Sequence, residues 1–302
     1  MSAAEKIPLG LNWQPQAGHF RGHFEAMACR CELLIRTTAP SRARAVLAMA
    51  ASEALRIQHK FSRYNQQGVC HRINHSQGQA VAIDAETHAL LTLADTAYHL
   101  SQGRFDISSG ILGRLWRFNP DQTIPSPQQI ARLLPLIGWH QVQFDTDSIT
   151  LPSGMQLDFG GLGKEYAVDR CVALIQQAYA GIEVLVNFGG DLATTVNPAM
   201  PWEVGVSHQA HAGAPFTRLS LSQGAIATSG DSERFLIHKG QRLSHILDPN
   251  TGWPISDAAA SVTVQAERCI DAGLLATLAM LQGEHAEAFL DAQQVRHWVQ
   301  RR

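Results

Sequence analysis

No uninterrupted hydrophobic run in this chain approaches the ~20 residues that a membrane-spanning helix needs. Charge is sparse as well. Asp, Glu, Lys and Arg supply 17% of the 302 residues, the formal net charge is −2, and no basic stripe stands out. Nucleic acid therefore has no electrostatic support as a partner and is not expected. The opening Met1-Ser2-Ala3-Ala4-Glu5-Lys6-Ile7-Pro8 has no apolar core and no lipoprotein-type cysteine. Neither a signal peptide nor an anchor is expected there. Cysteine is scarce and odd in number, at Cys29, Cys31, Cys70, Cys171 and Cys269, with no C-x-x-C. Reduced thiols and a cytoplasmic location are the simplest reading.

Familiar nucleotide signatures are missing too. Gly160-Gly161-Leu162-Gly163-Lys164 is not a P-loop, because the residue five before Gly163 is Asp158 and the residue after the lysine is Glu165. The G-x-G-x-x-G spacing is also absent. His19/His23 and His71/His75 have the i,i+4 spacing of a zinc pair on a helix, but neither falls in a helical pattern, and surface histidines are expected. Cys29 and Cys31 alternate along a strand, with both thiols on one face and inert.

What remains is a chain with 45% hydrophobic residues, enough for a substantial core. Residues 1–23 are punctuated by Pro and Gly and read as an irregular lead-in. Residues 24–302 read as a single domain. A strand-like stretch runs from Phe24 to Ile35. Helical spacing marks residues 40–59 and 86–102, with Gly103 as a stop. A loop over 119–127 leads to a short helix ending near Ile137, then a β-rich stretch over 142–159. A helix follows over 167–178. Short strands recur at 184–186, 202–206, 219–221, 225–228, 235–237 and 262–264, and helices close the chain at 271–282 and 284–292. The mixture lacks regular β-α-β alternation, so the fold class is α+β.

Five segments join turn glycines to polar side chains: Phe61-Ser62-Arg63-Tyr64-Asn65; Gly103-Arg104-Phe105-Asp106 through Gly110; Leu157-Asp158 through Ala167; Asn187-Phe188-Gly189-Gly190-Asp191; and Ala227-Thr228-Ser229-Gly230-Asp231 with Ser244-His245 through Gly252. Glycine pairs let backbone approach a ligand closely. A helix starting near Gly163, beside Lys164, offers a site for an anion. Each segment taken alone is an ordinary turn; five in one chain point to a ligand.

In order and spacing these segments resemble the ApbE family of FAD:protein FMN transferases, over roughly residues 24–292. The long matches are Asp158 to Ala167 and His245 to Pro254; Met27-Ala28-Cys29, Ser62-Arg63-Tyr64, Phe105 to Leu112, Gly189-Gly190-Asp191 and Thr228-Ser229-Gly230 accompany them. The resemblance implies an ApbE-like, T-fold-related α+β fold of mixed sheets with flanking helices, with FAD bound between subdomains. It implies FAD contacts at Met27, Tyr64, Arg104, Phe105, Asp106, Asp158, Lys164, Thr228, Ser229, His245 and Leu247, with His245 and Lys164 catalytic. It implies transfer of FMN from FAD, through a phosphoester, to an exposed Thr or Ser of an acceptor protein, with release of AMP. The alternatives are an FAD pyrophosphatase, or an FAD-binding protein that has lost catalysis. It also implies magnesium on the pyrophosphate, held by the carbonyl of Gly161 and by an Asp and a Thr of the last long helix.

Three steps depart from the family pattern. Lys-Gly is Lys164-Glu165, Met-Gly-Thr is Met27-Ala28-Cys29, and the metal aspartate falls on Gly273, one helical turn before Thr277. Asp271 is the substitute ligand only if the helix starts late, because six residues are about 600° of rotation; an N-cap or a solvated side chain is its other reading. Weak magnesium binding is the expectation, strengthened by Gly273→Asp.

Overall fold

In the computed structural model, residues 9–14, 17–119, 122–196, 198–207, 215–231, 234–238 and 240–302 are described. Residues 1–8, and residues 120–121 of the loop expected over 119–127, lie outside them. The chain forms two compact units. The first comprises Met1–Gln58, Gly163–Thr228 and Thr263–Gly273; the second comprises His59–Leu162, Ser229–Val262 and Leu274–Arg302.

The first unit is built on a sheet in the order β1-β2-β3-β7-β8-β11-β14. Its strands are β1 (Gly10–Gln14), β2 (His19–Ala26), β3 (Cys29–Arg36), β7 (Glu183–Phe188), β8 (Asp191–Thr194), β11 (Ala225–Gly230) and β14 (Ser261–Ala266). Neighbours from β1 to β11 run antiparallel. A separate antiparallel pair joins β9 (Trp202–Ser207) to β10 (Pro215–Leu221). Helices α1 (Pro40–Phe61) and α5 (Gly163–Ala178) belong largely to this unit. Leu47 of α1 leaves no room for a side chain at Gly22 of β2, where a Cβ would lie 2.8 Å from its methyl groups. Helix α5 lies on β7 and β8, and its Cys171 thiol donates to the Ala50 carbonyl of α1 at 3.5 Å.

The irregular lead-in expected over residues 1–23 is corrected here: β1 and β2 form a hairpin there. In β2, Phe20, Gly22, Phe24 and Ala26 point inward, while Arg21 and Glu25 are exposed and the two histidines are half-buried. The alternation is a strand's, but two histidines and a glycine blur its apolar signal. The stretch from Phe24 to Ile35 is likewise two strands. They turn at Met27 (φ 53°) and Ala28 (φ 56°), the paired left-handed geometry of a tight hairpin turn, which glycine and asparagine adopt more readily.

In the second unit, three short strands, β4 (Ala80–Ala82), β5 (Gln143–Phe144) and β6 (Ser148–Thr150), form a small sheet, and β12 (Phe235–His238) pairs with β13 (Gln241–Ser244). Helices α2 (Val69–Asn74), α3 (Ala85–Leu100), α4 (Pro127–Leu133) and α7 (Ala286–Ala292) belong here, with strand β15 (Arg296–Gln300). Helix α6 (Cys269–Leu281) begins in the first unit and ends in the second. Local capping fixes the helix starts. Asp84 accepts from the Thr87 backbone at 2.9 Å to open α3, and Ser126 and Gln129 form a capping box on α4. The β-rich stretch expected over 142–159 shrinks to β5 and β6. Beyond them the backbone bonds to loops and side chains instead of a ladder: Leu157 N–H donates to Asn74 Oδ1 at 2.7 Å, and Asp158 N–H to the Ile107 carbonyl at 2.9 Å. The α+β class holds.

Candidate functional site

Each unit gathers part of the residues singled out in the sequence. In the first unit they meet at the start of α5. Lys164 Nζ lies 2.7 Å from Asp191 Oδ2. Asp191 opens β8 after the Gly189-Gly190 turn, whose glycines have φ of 61° and 101°. Asn187 Oδ1 holds that turn by accepting from Gly190 N–H at 2.9 Å. A Cβ on Gly189 would lie 3.0 Å from Cys29 Cβ and 3.2 Å from its Sγ, so the turn packs closely on Cys29. Asp191 Oδ1 accepts from the Thr228 backbone at 3.2 Å, and the Thr228 hydroxyl lies 2.9 Å from that of Thr263.

Burial alone would lower the Lys164 ammonium. The carboxylates of Asp191 and then Glu165 outweigh it and hold its pKa above the ordinary value. Burial pushes Asp191 up and Glu165 up to about 8. Oε2 of Glu165 is shut off from solvent without a hydrogen-bond partner. Cys29 and Cys31 share one face, with sulfurs 4.0 Å apart. The hydrogen bond with Cys31 lowers the Cys29 thiol and helps raise that of Cys31. Met27, half-buried in the hairpin turn, donates its N–H to Gln58 Oε1.

In the second unit the organising side chain is Arg63, the middle residue of Ser62-Arg63-Tyr64, which carries no role in the sequence expectation. Its Nη1 donates to the Gly110 carbonyl at 2.7 Å and lies 3.3 Å from Asp158 Oδ2. Its Nη2 donates to the Tyr64 hydroxyl at 2.8 Å. Tyr64 is 79% exposed, a large aromatic face held out in water by one arginine. Asp158 Oδ1 accepts from Gly160 N–H at 2.8 Å. Gly110 must lack a side chain, because a Cβ there would sit 2.6 Å from that of Asp158. Beside this cluster the Phe105 ring lies 3.5 Å from the place of a Cβ on exposed Gly161.

Asp106 does scaffold work. Its Oδ1 accepts from Ser108 N–H at 2.7 Å and from the Ser108 hydroxyl at 2.6 Å, and its Oδ2 from Trp139 N–H at 3.0 Å. Arg104 donates to Gln282 Oε1 at 2.9 Å. We expect Asp106→Ala to lower unfolding free energy by about 3 kcal/mol or more, since buried donors lose their acceptor. Urea denaturation checks this, and an unchanged midpoint would contradict it.

The segment from His245 to Pro254 folds back on itself. Leu247 bridges to Pro254, Asp248 N–H donates to the Trp253 carbonyl at 2.8 Å, and Gly252 N–H to the Asp248 carbonyl at 2.7 Å. Trp116 Nε1–H donates to the Gly252 carbonyl at 2.9 Å, fixing the loop on the core of Leu112, Trp116, Ile130 and Leu236. His245 Nδ1 lies 3.1 Å from the Arg234 carbonyl. A carbonyl only accepts, so Nδ1 carries the hydrogen and Nε2 holds the lone pair. Burial lowers the His245 pKa below its ordinary value, although the Arg234 carbonyl opposes this. Ser229 is half-buried on β11, and Thr277 is half-buried on α6.

Asp271 is placed unfavourably for a metal. Both its oxygens are taken by Arg268, at 2.7 Å each. His19 and His23 lie on a strand; His71, expected outside any helical pattern, lies on α2, with His75 at its end and the two rings stacked at 3.8 Å. Among the described residues, no three His, Cys, Asp or Glu side chains gather to hold an ion. The expected benefit of Gly273→Asp is also corrected. A Cβ at Gly273 would lie 2.5 Å from Glu165 Cγ and 2.9 Å from its Oε1.

The sequence matches the model of the ApbE family over residues 27–298. The chain belongs to the ApbE family. It is 31% identical over 232 residues to a protein of Treponema pallidum named FAD:protein FMN transferase, covering 70% of this chain and 64% of that protein. It is 31% identical over 212 residues to the Klebsiella pneumoniae protein of the same name, covering 68% and 66%. The chain thus spans just under two thirds of the length of these ApbE relatives. The crystal structure of the ApbE protein of Thermotoga maritima matches with a TM-score of 0.85 at 28% identity, covering 93% of this chain and 94% of that one. The flavinyl transferase ApbE of Pseudomonas stutzeri, at 22% identity and a TM-score of 0.80, shares the fold. No helix among the described residues is long and apolar enough to cross a membrane.

Proposed function

We propose that this chain is an FAD:protein FMN transferase, residues 24–302 acting as its catalytic domain. The observation that carries the reading is the start of α5. There a lysine fixed by a buried aspartate stands beside a Gly-Gly turn whose positive φ brings the backbone close to it. One N–H of the Lys164 ammonium serves Asp191, and the other two remain for phosphate oxygens. Tyr64, Asp158 and the backbone at Leu247 are the proposed FAD contacts of the second unit, with Arg63 holding the first two in place.

In the reaction, the hydroxyl oxygen of an acceptor threonine or serine attacks the FMN-side phosphorus of FAD. The P–O bond to AMP breaks as the new phosphoester forms, and AMP leaves with the bridging oxygen. The hydroxyl proton passes to Nε2 of His245, which its hydrogen bond to Arg234 keeps free as the base. Charge neutralisation and positioning do most of the work in such transfers. Magnesium belongs to this reading, with Gly161 and Thr277 as the ligands implied by the family pattern; it would neutralise pyrophosphate charge. Within the first unit, the buried Oε2 of Glu165 is the candidate donor for a hard cation. The five unpaired thiols favour a reducing compartment.

An extended dinucleotide site should discriminate. FAD is expected to bind at least about tenfold tighter than FMN, a difference of ~1.4 kcal/mol. Calorimetry with both ligands checks it, and equal affinities would remove the adenine half from the site.

A further inference from the structure

Three acids lie at the start of α6 or against it, and the structure separates them by what their oxygens already do. Asp169 accepts from Cys269 N–H at 2.8 Å and Ile270 N–H at 2.9 Å, one with each oxygen. Both are donors of the first turn of α6, left without partners inside the helix. Asp271 is held through both oxygens by Arg268. Glu165 alone keeps a buried oxygen with no hydrogen-bond partner. It stands beside Asp191, whose charge is answered by Lys164 at 2.7 Å. One ammonium serves two neighbouring carboxyl groups that share a hydrogen bond, so both can carry their charge only with a second cation beside them.

The space that Glu165 fills is the second observation. Its Cγ, Oε1 and Cδ lie 2.5, 2.9 and 3.0 Å from the position of a Cβ on Gly273. Real Cβ atoms do not tolerate such distances. A side chain at 273 and this placement of Glu165 therefore exclude each other. Lys164-Glu165 and Gly273, two separate departures from the family pattern in the sequence, are one exchange in space. A carboxylate that could reach this spot from α6 is delivered from α5 instead.

We propose that Glu165 is the carboxylate through which this chain holds a divalent hard cation, Mg²⁺ or Mn²⁺, and that Gly273 exists to seat it. The proposal rests on the FMN-transfer reading for the purpose of the cation, which the pyrophosphate of FAD would complete. Asp191, held by Lys164, acts as a positioning residue for Glu165. A hard cation takes one or two carboxylates and keeps phosphate and water as its remaining ligands.

The test is Mn²⁺ binding to the full chain, followed by the electron-spin signal of free Mn²⁺, with Mn²⁺ alone and with Mn²⁺ plus FAD. The wild type should bind Mn²⁺, more tightly with FAD present. Glu165→Gln, which keeps the shape and removes the charge, should weaken Mn²⁺ by at least about tenfold, as loss of a ligand does. Gly273→Asp alone should melt at a lower temperature, because Glu165 occupies its space. The double variant Glu165→Gly with Gly273→Asp should recover Mn²⁺ affinity. A folded Glu165→Gln variant with wild-type Mn²⁺ affinity would overturn the assignment, as would a wild type that binds no Mn²⁺ in either condition. A Gly273→Asp variant as stable as the wild type would overturn the exchange. The readout is metal occupancy, so a wild type that binds Mn²⁺ through Glu165 but releases no AMP contradicts the transferase reading and leaves this one standing.

Discussion

Lys164→Ala is expected to abolish most turnover of FAD and to destabilise the protein together. Its ammonium is the ion-pair partner of Asp191, a carboxylate whose side chain is 2% exposed. Breaking a buried pair by removing one partner costs about 3–5 kcal/mol, because the other charge is left without compensation. Lys164 is itself 28% exposed, so the lower end, about 3 kcal/mol, is the better expectation. The loss in rate comes on top. A cation that meets phosphate where charge develops contributes on the order of a hundredfold or more. Urea unfolding gives the first quantity and AMP release under saturating FAD the second. His19→Ala on β2 and His71→Ala on α2 should leave turnover unchanged. A Lys164→Ala variant with wild-type turnover would remove the start of α5 from the phosphate site.

His245→Ala should lower kcat by about 10²–10⁴-fold, the range of a general base, while the affinity for FAD stays close to that of the wild type. The sign of the pH dependence follows from the burial of the imidazole. Burial depresses the His245 pKa below its usual value near 6.5, so the neutral, proton-accepting form persists further into acid than in a free histidine. The rate should therefore be level on the alkaline side of that depressed pKa and fall as pH drops through it. The same limb should be missing from His245→Asn. A wild-type profile already falling from pH 8 to pH 7 would contradict a buried neutral base, and so would an acid limb that survives in the asparagine variant.

The residues most readable from the sequence were those whose backbone demands are local. Gly189 and Gly190 adopt the positive φ that a Gly-Gly-Asp turn needs, and α1, α3 and α5 follow their apolar spacing with shifts of a few residues. What escaped the sequence depended on partners far along the chain. Arg63 looks like a filler between Ser62 and Tyr64 until Gly110 and Asp158 stand opposite it. Asp106 reads as a ligand contact, yet Ser108 and Trp139 use both its oxygens. Glu165 and Gly273 look like two unrelated losses, because nothing local reveals that one fills the space of the other. The hairpin of β1 and β2 was hidden for a different reason: histidine, arginine and glycine dilute the alternation that packing nevertheless enforces. Cys29 and Cys31 were legible, since a period of two places both on one face of β3.

The central claim is group transfer to a protein hydroxyl, and one assay meets it directly. The full chain is incubated with FAD and Mg²⁺, with and without an acceptor flavoprotein carrying an exposed threonine, and with the same acceptor after Thr→Ala substitution. AMP is measured by chromatography and bound flavin by intact-protein mass. The account predicts AMP release only with the threonine acceptor, in step with a mass gain equal to one esterified FMN. AMP released equally in all three mixtures would make the chain a pyrophosphatase. Bound FAD with no AMP in any of them would make it a flavin carrier; either result would contradict the account.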